Sequence, residues 1–181
     1  KVAAGCYQPT SQLCYHPTLY YALGALVYSA AESAGWHNPV IALQGFAVVL
    51  SLIFVLFALL TLHELLPQRP LFYLAASLVA LWPTGIMYSV AVANDGLFFA
   101  EFMAAVYCLV RWVKSEQPRY LYLAAGITVL ALFTKSNAVL LLALVGLTVV
   151  LQFGLKLGFQ RSAAANWSRY LKTERRLLAI T

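Results

Sequence analysis

Lys135 and the pair Asn94-Asp95 are the residues of this chain whose type and placement ask for a chemical reason. Each stands in a tight turn between long apolar runs. A membrane-embedded ammonium costs about 2.5 to 3.5 kcal/mol at mid-depth on insertion scales, so Lys135 faces a watery cavity or an anion. The alternative is snorkelling, in which the four-carbon stem carries the amine to the headgroups. Asp95, with Asn94 beside it and Gly96 before Leu97, reads as the N-cap of the helix that follows. Glu101, two turns further on, must be protonated, paired or facing water. An ion pair with Lys135 across neighbouring helices is one solution.

Other chemistry-bearing residues are more ordinary. Cys6 and Cys14 lie together in the N-terminal stretch and close as a disulfide if the compartment is oxidising, or stay as two unpaired thiols. A zinc site there needs His16 to complete it. Cys108 reads as a small core residue. His63-Glu64-Leu65-Leu66-Pro67 lacks the second histidine of a zinc-binding helix. Asn166-Trp167-Ser168 matches a glycosylation acceptor, but on the wrong side of the membrane for use.

The elements that position these residues are five apolar runs: Pro39 to Leu62, Leu71 to Val92, Leu97 to Val113, Tyr120 to Phe133 and Asn137 to Phe153. Each is near or somewhat below the ~20 residues that cross a bilayer core as helix. The fourth is short. From Tyr120 to Thr134 it climbs about 22 Å of an approximately 30 Å core, which leaves Lys135 below the surface. Pro67 and Pro70 bracket one connector and Pro118 opens another, while Pro83 inside the second run predicts a kink.

A composition of 62% hydrophobic and 10% charged residues is too apolar for a soluble domain. The expected fold is therefore all-α, a polytopic transmembrane bundle of about five spans. Ten of the 12 Lys and Arg residues fall in the connectors after the first, third and fifth runs and in the tail, which makes that side cytoplasmic. The net charge of +6 matches anionic headgroups of the inner leaflet rather than nucleic acid. Pro17 to Ala31 is apolar but short; it either spans or lies as an interfacial helix, and the cluster Tyr15, Tyr20, Tyr21, Tyr28 and Trp36 favours the interface. The organisation expected is an external loop and interfacial helix over residues 1–38, a membrane core over 39–153, and a basic cytoplasmic tail over 154–181 that anchors as an amphipathic helix. With no h-region at its start and an apolar turn after Arg176, the chain reads as cut at both ends.

Several of these residues together carry a family resemblance. His16-Pro17-Thr18-Leu19-Tyr20-Tyr21 resembles the His-Pro-Pro-Leu-Tyr-Tyr element of GT-C class membrane glycosyltransferases, the group that includes protein O-mannosyltransferases and aminoarabinose transferases. Pro83, Tyr88-Ser89 and Asn94-Asp95 resemble their Pro, Tyr-Ser, Asn-Asp progression. Leu130-Ala131-Leu132-Phe133-Thr134-Lys135 resembles their Leu-Ala-Leu-Leu-Thr-Lys turn. These elements occur in order over most of residues 16 to 153; Thr18 in place of the second Pro is the departure.

The resemblance implies transfer of a sugar from a polyprenyl-phosphate carrier to an acceptor at the external membrane face. In that chemistry a carboxylate takes the acceptor's proton and a cation steadies the departing lipid phosphate. It implies Lys135 as that cation, Asn94 or Asp95 as hydrogen-bonding partners of sugar hydroxyls, and His16 as a contact at the cavity mouth, where a structural hydrogen-bonding role is the alternative. It places the general base in an acidic loop upstream of Lys1. No cofactor is expected beyond the lipid-linked donor; a divalent metal is left open. Partners expected are membrane lipids, the donor and subunits of a membrane complex. The competing reading is a catalytically silent scaffold subunit with the same helices. A proton-coupled transporter using Glu101 and Asp95 is a third, against which stands the lack of internal repeats. Compact loops favour a bacterial inner membrane over the endoplasmic reticulum.

Overall fold

The computed structural model describes residues 18–82, 85–86 and 90–156. Among them the secondary structure is helical, without strands. By residue contacts the chain divides into two units, Lys1–Ala143 and Leu144–Thr181, and all packing described below lies within the first. In the second, residues 144–156 are helical and Thr148 Oγ1 donates to the Leu144 carbonyl at 2.7 Å.

Helix α1 is Leu19–Ser33. A short link follows in which Gly35 takes φ 76°, a left-handed conformation that suits a residue without Cβ. Asn38 Oδ1 then accepts from the Val40 N–H at 3.1 Å and opens α2, Val40–Leu65. Pro67 cannot extend that helix, and α3, Arg69–Ala80, begins with Pro70 in its first turn, where no N–H is needed. Helix α4 is Asn94–Ser115 and ends at Glu116, which holds φ 57°. Helix α5, Pro118–Thr134, again starts on proline. It stops where Lys135 turns extended, φ −154° and ψ 137°, and a 3-10 turn, Ser136–Ala138, opens the last apolar helix, Ser136–Lys156.

Val40–Leu65, Asn94–Ser115 and Ser136–Lys156 are long and apolar enough to cross a membrane; α3 and α5 are shorter apolar helices. All five expected runs are thus helical, but the second breaks off early. Leu81 and Trp82 leave the helix, and Trp82 precedes Pro83, whose ring crowds the α conformation of the residue before it. The kink expected at Pro83 itself lies outside the described residues, as do Tyr88-Ser89. Trp82 packs with Phe54 of α2 and Phe99 of α4, with ring centroids 6.2 to 6.3 Å apart.

The core runs along α4, which packs against both α2 and α5. Its buried face is mostly small: Ala100, Ala104, Ala105 and Cys108, with Leu97, Leu109 and Trp112. The buried face of α5 is Ala124, Thr128, Ala131 and Thr134. Small residues let helix backbones approach closely, the device that packs helices where lipid removes the hydrophobic drive. Cys108 is buried there as expected. At the start of α1, Tyr20 packs into a cluster with Leu50 and Leu97 and stacks on Phe46 at 6.5 Å. Large side chains such as Leu26, Leu52, Leu78 and Leu140 remain exposed on the outside, the arrangement of a bundle whose solvent is hydrocarbon. The protein is an all-α membrane bundle.

Candidate functional site

The end of α5 and the start of α4 meet. Lys135 Nζ donates to Asp95 Oδ1, and each side chain is about a quarter exposed. The ammonium also lies 5.9 Å from the ring centroid of Phe98, one turn further along α4. Of the settings the sequence left open for Lys135, a watery cavity, an anion or the headgroups, the protein itself supplies the anion.

The N-cap role of Asn94-Asp95 is corrected by the backbone. The helix begins at Asn94, Ala93 holds the cap position, and no side chain caps it. Both residues sit in the first turn, where a carboxylate is still favoured by the positive end of the helix dipole. Freed from capping, Asp95 turns to Lys135. Asn94 places its Nδ2 in a buried position with no hydrogen-bond partner among the described residues.

The pairing of Lys135 with Glu101 is likewise corrected. Glu101 lies six residues beyond Asp95, about 9 Å deeper along the helix, while Asp95 stands level with the end of α5. The lysine stem reaches the nearer carboxylate. Glu101 is 9% exposed, and its Oε2 has no partner among the described residues. His16, Cys6 and Cys14 lie outside the described residues. No group of three or more His, Cys, Asp or Glu able to hold a metal ion occurs among the described residues.

A second polar centre, not anticipated from the sequence, occupies the opposite end of α4. Arg111 Nη1 donates to Glu64 Oε1 at 2.6 Å, and Lys114 Nζ donates to Glu64 Oε2 at 3.0 Å and to the Glu64 carbonyl. Arg111 and Arg119 both lie over the ring of Tyr120, at 5.4 and 4.8 Å from its centroid. The signal was available: a lone glutamate ends one apolar run, and two cations end another that the loop charges place on the same side.

Two ends thus carry the polar chemistry of an otherwise apolar bundle, and they lie at opposite ends of α4. That defines a polytopic membrane protein with a compact ion-paired site where α4 starts and α5 stops. The family model described as dolichyl-phosphate-mannose-protein mannosyltransferase matches residues 15–158, well over half of the chain, and the chain belongs to that family. It is a membrane glycosyltransferase of the GT-C class. No curated protein and no solved structure matches the chain.

Proposed function

We propose that this chain carries part of the site that transfers a sugar from a polyprenyl-phosphate carrier to an acceptor at the external membrane face. The observation that carries the proposal is the Lys135–Asp95 pair beside an unpartnered amide donor on Asn94. In the reaction, the acceptor oxygen bonds to the anomeric carbon, its proton goes to a carboxylate, and the bond from that carbon to the phosphate oxygen breaks. Negative charge grows on the departing lipid phosphate. A half-buried ammonium held by Asp95 is pre-aimed to receive it, in surroundings where charge is poorly screened. Asn94 Nδ2 offers a hydrogen bond to a sugar hydroxyl.

Asp95 is not assigned as the base in this scheme; its part is to hold the Lys135 ammonium through Oδ1. Loop charge favours the external side for this end and the cytoplasm for the Glu64 end. A bacterial inner membrane is the proposed location. His16 is proposed as a further contact of the donor or acceptor, and lipids and the lipid-linked donor as the partners, with no cofactor expected.

One observation favours the scaffold reading. A lysine already neutralised by an internal carboxylate needs no phosphate to justify its burial. Donor turnover by the full-length protein in vesicles separates the two. In the enzyme, Lys135→Ala abolishes turnover and Lys135→Arg, which keeps the charge, retains part of it; in the scaffold, Lys135→Ala changes thermal stability alone.

A further inference from the structure

The Glu64 end holds a partly enclosed cavity of about 660 Å³ between the end of α2, the first turn of α3 and Lys114 of α4. His63, Glu64, Arg69, Phe72, Tyr73 and Lys114 line it. It is well within the size range of small-ligand sites.

Its charge is unbalanced. Both oxygens of Glu64 are taken, one by Arg111 and one by Lys114, so a single carboxylate answers two cations before Arg69 is counted. An ammonium has three N–H donors, and Lys114 directs two of them to Glu64. The remaining donor capacity, with the fork of Arg69, suits an oxyanion.

Depth identifies which oxyanion. The cavity sits where α2 ends and α3 begins, at the boundary of the apolar runs, the level at which phosphates of a bilayer lie. On α3 the cavity takes Arg69, Phe72 and Tyr73, which share one face of the helix. Leu71, Leu74 and Leu78, 47%, 61% and 68% exposed, lie on the opposite face of α3 and take no part in the cavity. Tyr73, exposed beside the pocket, has the amphipathic ring found at that depth.

We infer that this cavity binds the phosphate of an anionic phospholipid from the leaflet at the Glu64 end. Arg69 and Lys114 hold the headgroup, and Glu64 positions Lys114 while competing with the lipid for it. The inference is independent of the sugar-transfer reading, since it uses none of the residues at the Asp95 end.

The test is native mass spectrometry of the full-length protein with added phosphatidylglycerol, with phosphatidylcholine, or with inorganic phosphate and no lipid. The wild type retains one phosphatidylglycerol at least about five-fold better than phosphatidylcholine. Arg69→Gln and, separately, Lys114→Gln each reduce that preference about five-fold, the effect expected for one basic group at an anionic surface. Glu64→Gln, which frees two cations, raises it. Lys114 is half exposed, so its variant folds even if another does not. Equal retention of both lipids, or a preference unchanged in both Arg69→Gln and Lys114→Gln, overturns the inference. An adduct formed by inorganic phosphate alone and lost in Arg69→Gln also overturns it, in favour of a site for free phosphate.

Discussion

Lys135 and Asp95, forty residues apart in sequence, close the junction between α4 and α5 with one ion pair. Lys135 ends its helix in an extended conformation and Asp95 opens the other from its first turn. The pair therefore fixes how far one helix stands against its neighbour, and it does so in a half-buried place where losing one partner is costly.

Removing either member alone destabilises the protein, while removing both restores much of the loss. Asp95→Asn leaves an unpaired ammonium in the bundle; Asp95→Asn with Lys135→Gln leaves none. A double-mutant cycle on thermal unfolding in detergent should return a coupling on the order of 1 kcal/mol or more. Additive effects of the two changes would dismiss the pair as a structural element.

The Glu64 centre should show a graded loss. Arg111 is about a third exposed and makes a short contact with Glu64, whereas Lys114 is half exposed. Lys114→Gln is expected to cost less than about 1 kcal/mol and to cost still less in high salt. Arg111→Gln costs more, because the guanidinium also covers Tyr120. Melting temperatures at low and high salt check both, and equal losses would contradict the ranking.

Overpacking tests the small-residue contact. Ala105 and Ala131 are fully buried. Enlarging either to leucine forces α4 and its neighbours apart and should cost about 1 to 3 kcal/mol. Leu130→Ala, on the exposed side of α5, serves as the control and should change stability far less. Comparable melting of Ala131→Leu and Leu130→Ala would mean that the helices do not pack through these positions.

Orientation is open to labelling. Single cysteines placed at Gln68 or Gln117, in a background without native cysteines, should react with an impermeant maleimide only after the membrane is opened. A cysteine at Ser136 should react in intact cells. The reverse pattern would invert the topology and move the proposed transfer to the other face.

The helices were legible because apolar runs of this length leave the backbone no other way to satisfy its hydrogen bonds in lipid. The end of α5 at Lys135 was legible too, since a charge terminates an apolar run. The early stop of α3 was less so. Pro83 was visible as a kink, yet the helix ends at Ala80, two residues before Trp82, the residue that the proline restricts and that packs on Phe54 and Phe99.

The sequence by itself determined that this is an all-helical membrane protein, which loops carry its positive charge, and which few polar residues lie at the ends of its helices. Only the tertiary structure decided the partners. Lys135 met Asp95 rather than Glu101 because more than a turn and a half of helix separates those carboxylates in depth. Glu64 met Arg111 and Lys114 because α2 and α4 end at the same level. Linear spacing gives the position of a group along its own helix, whereas ion pairing depends on the relative height and facing of two helices, which packing sets.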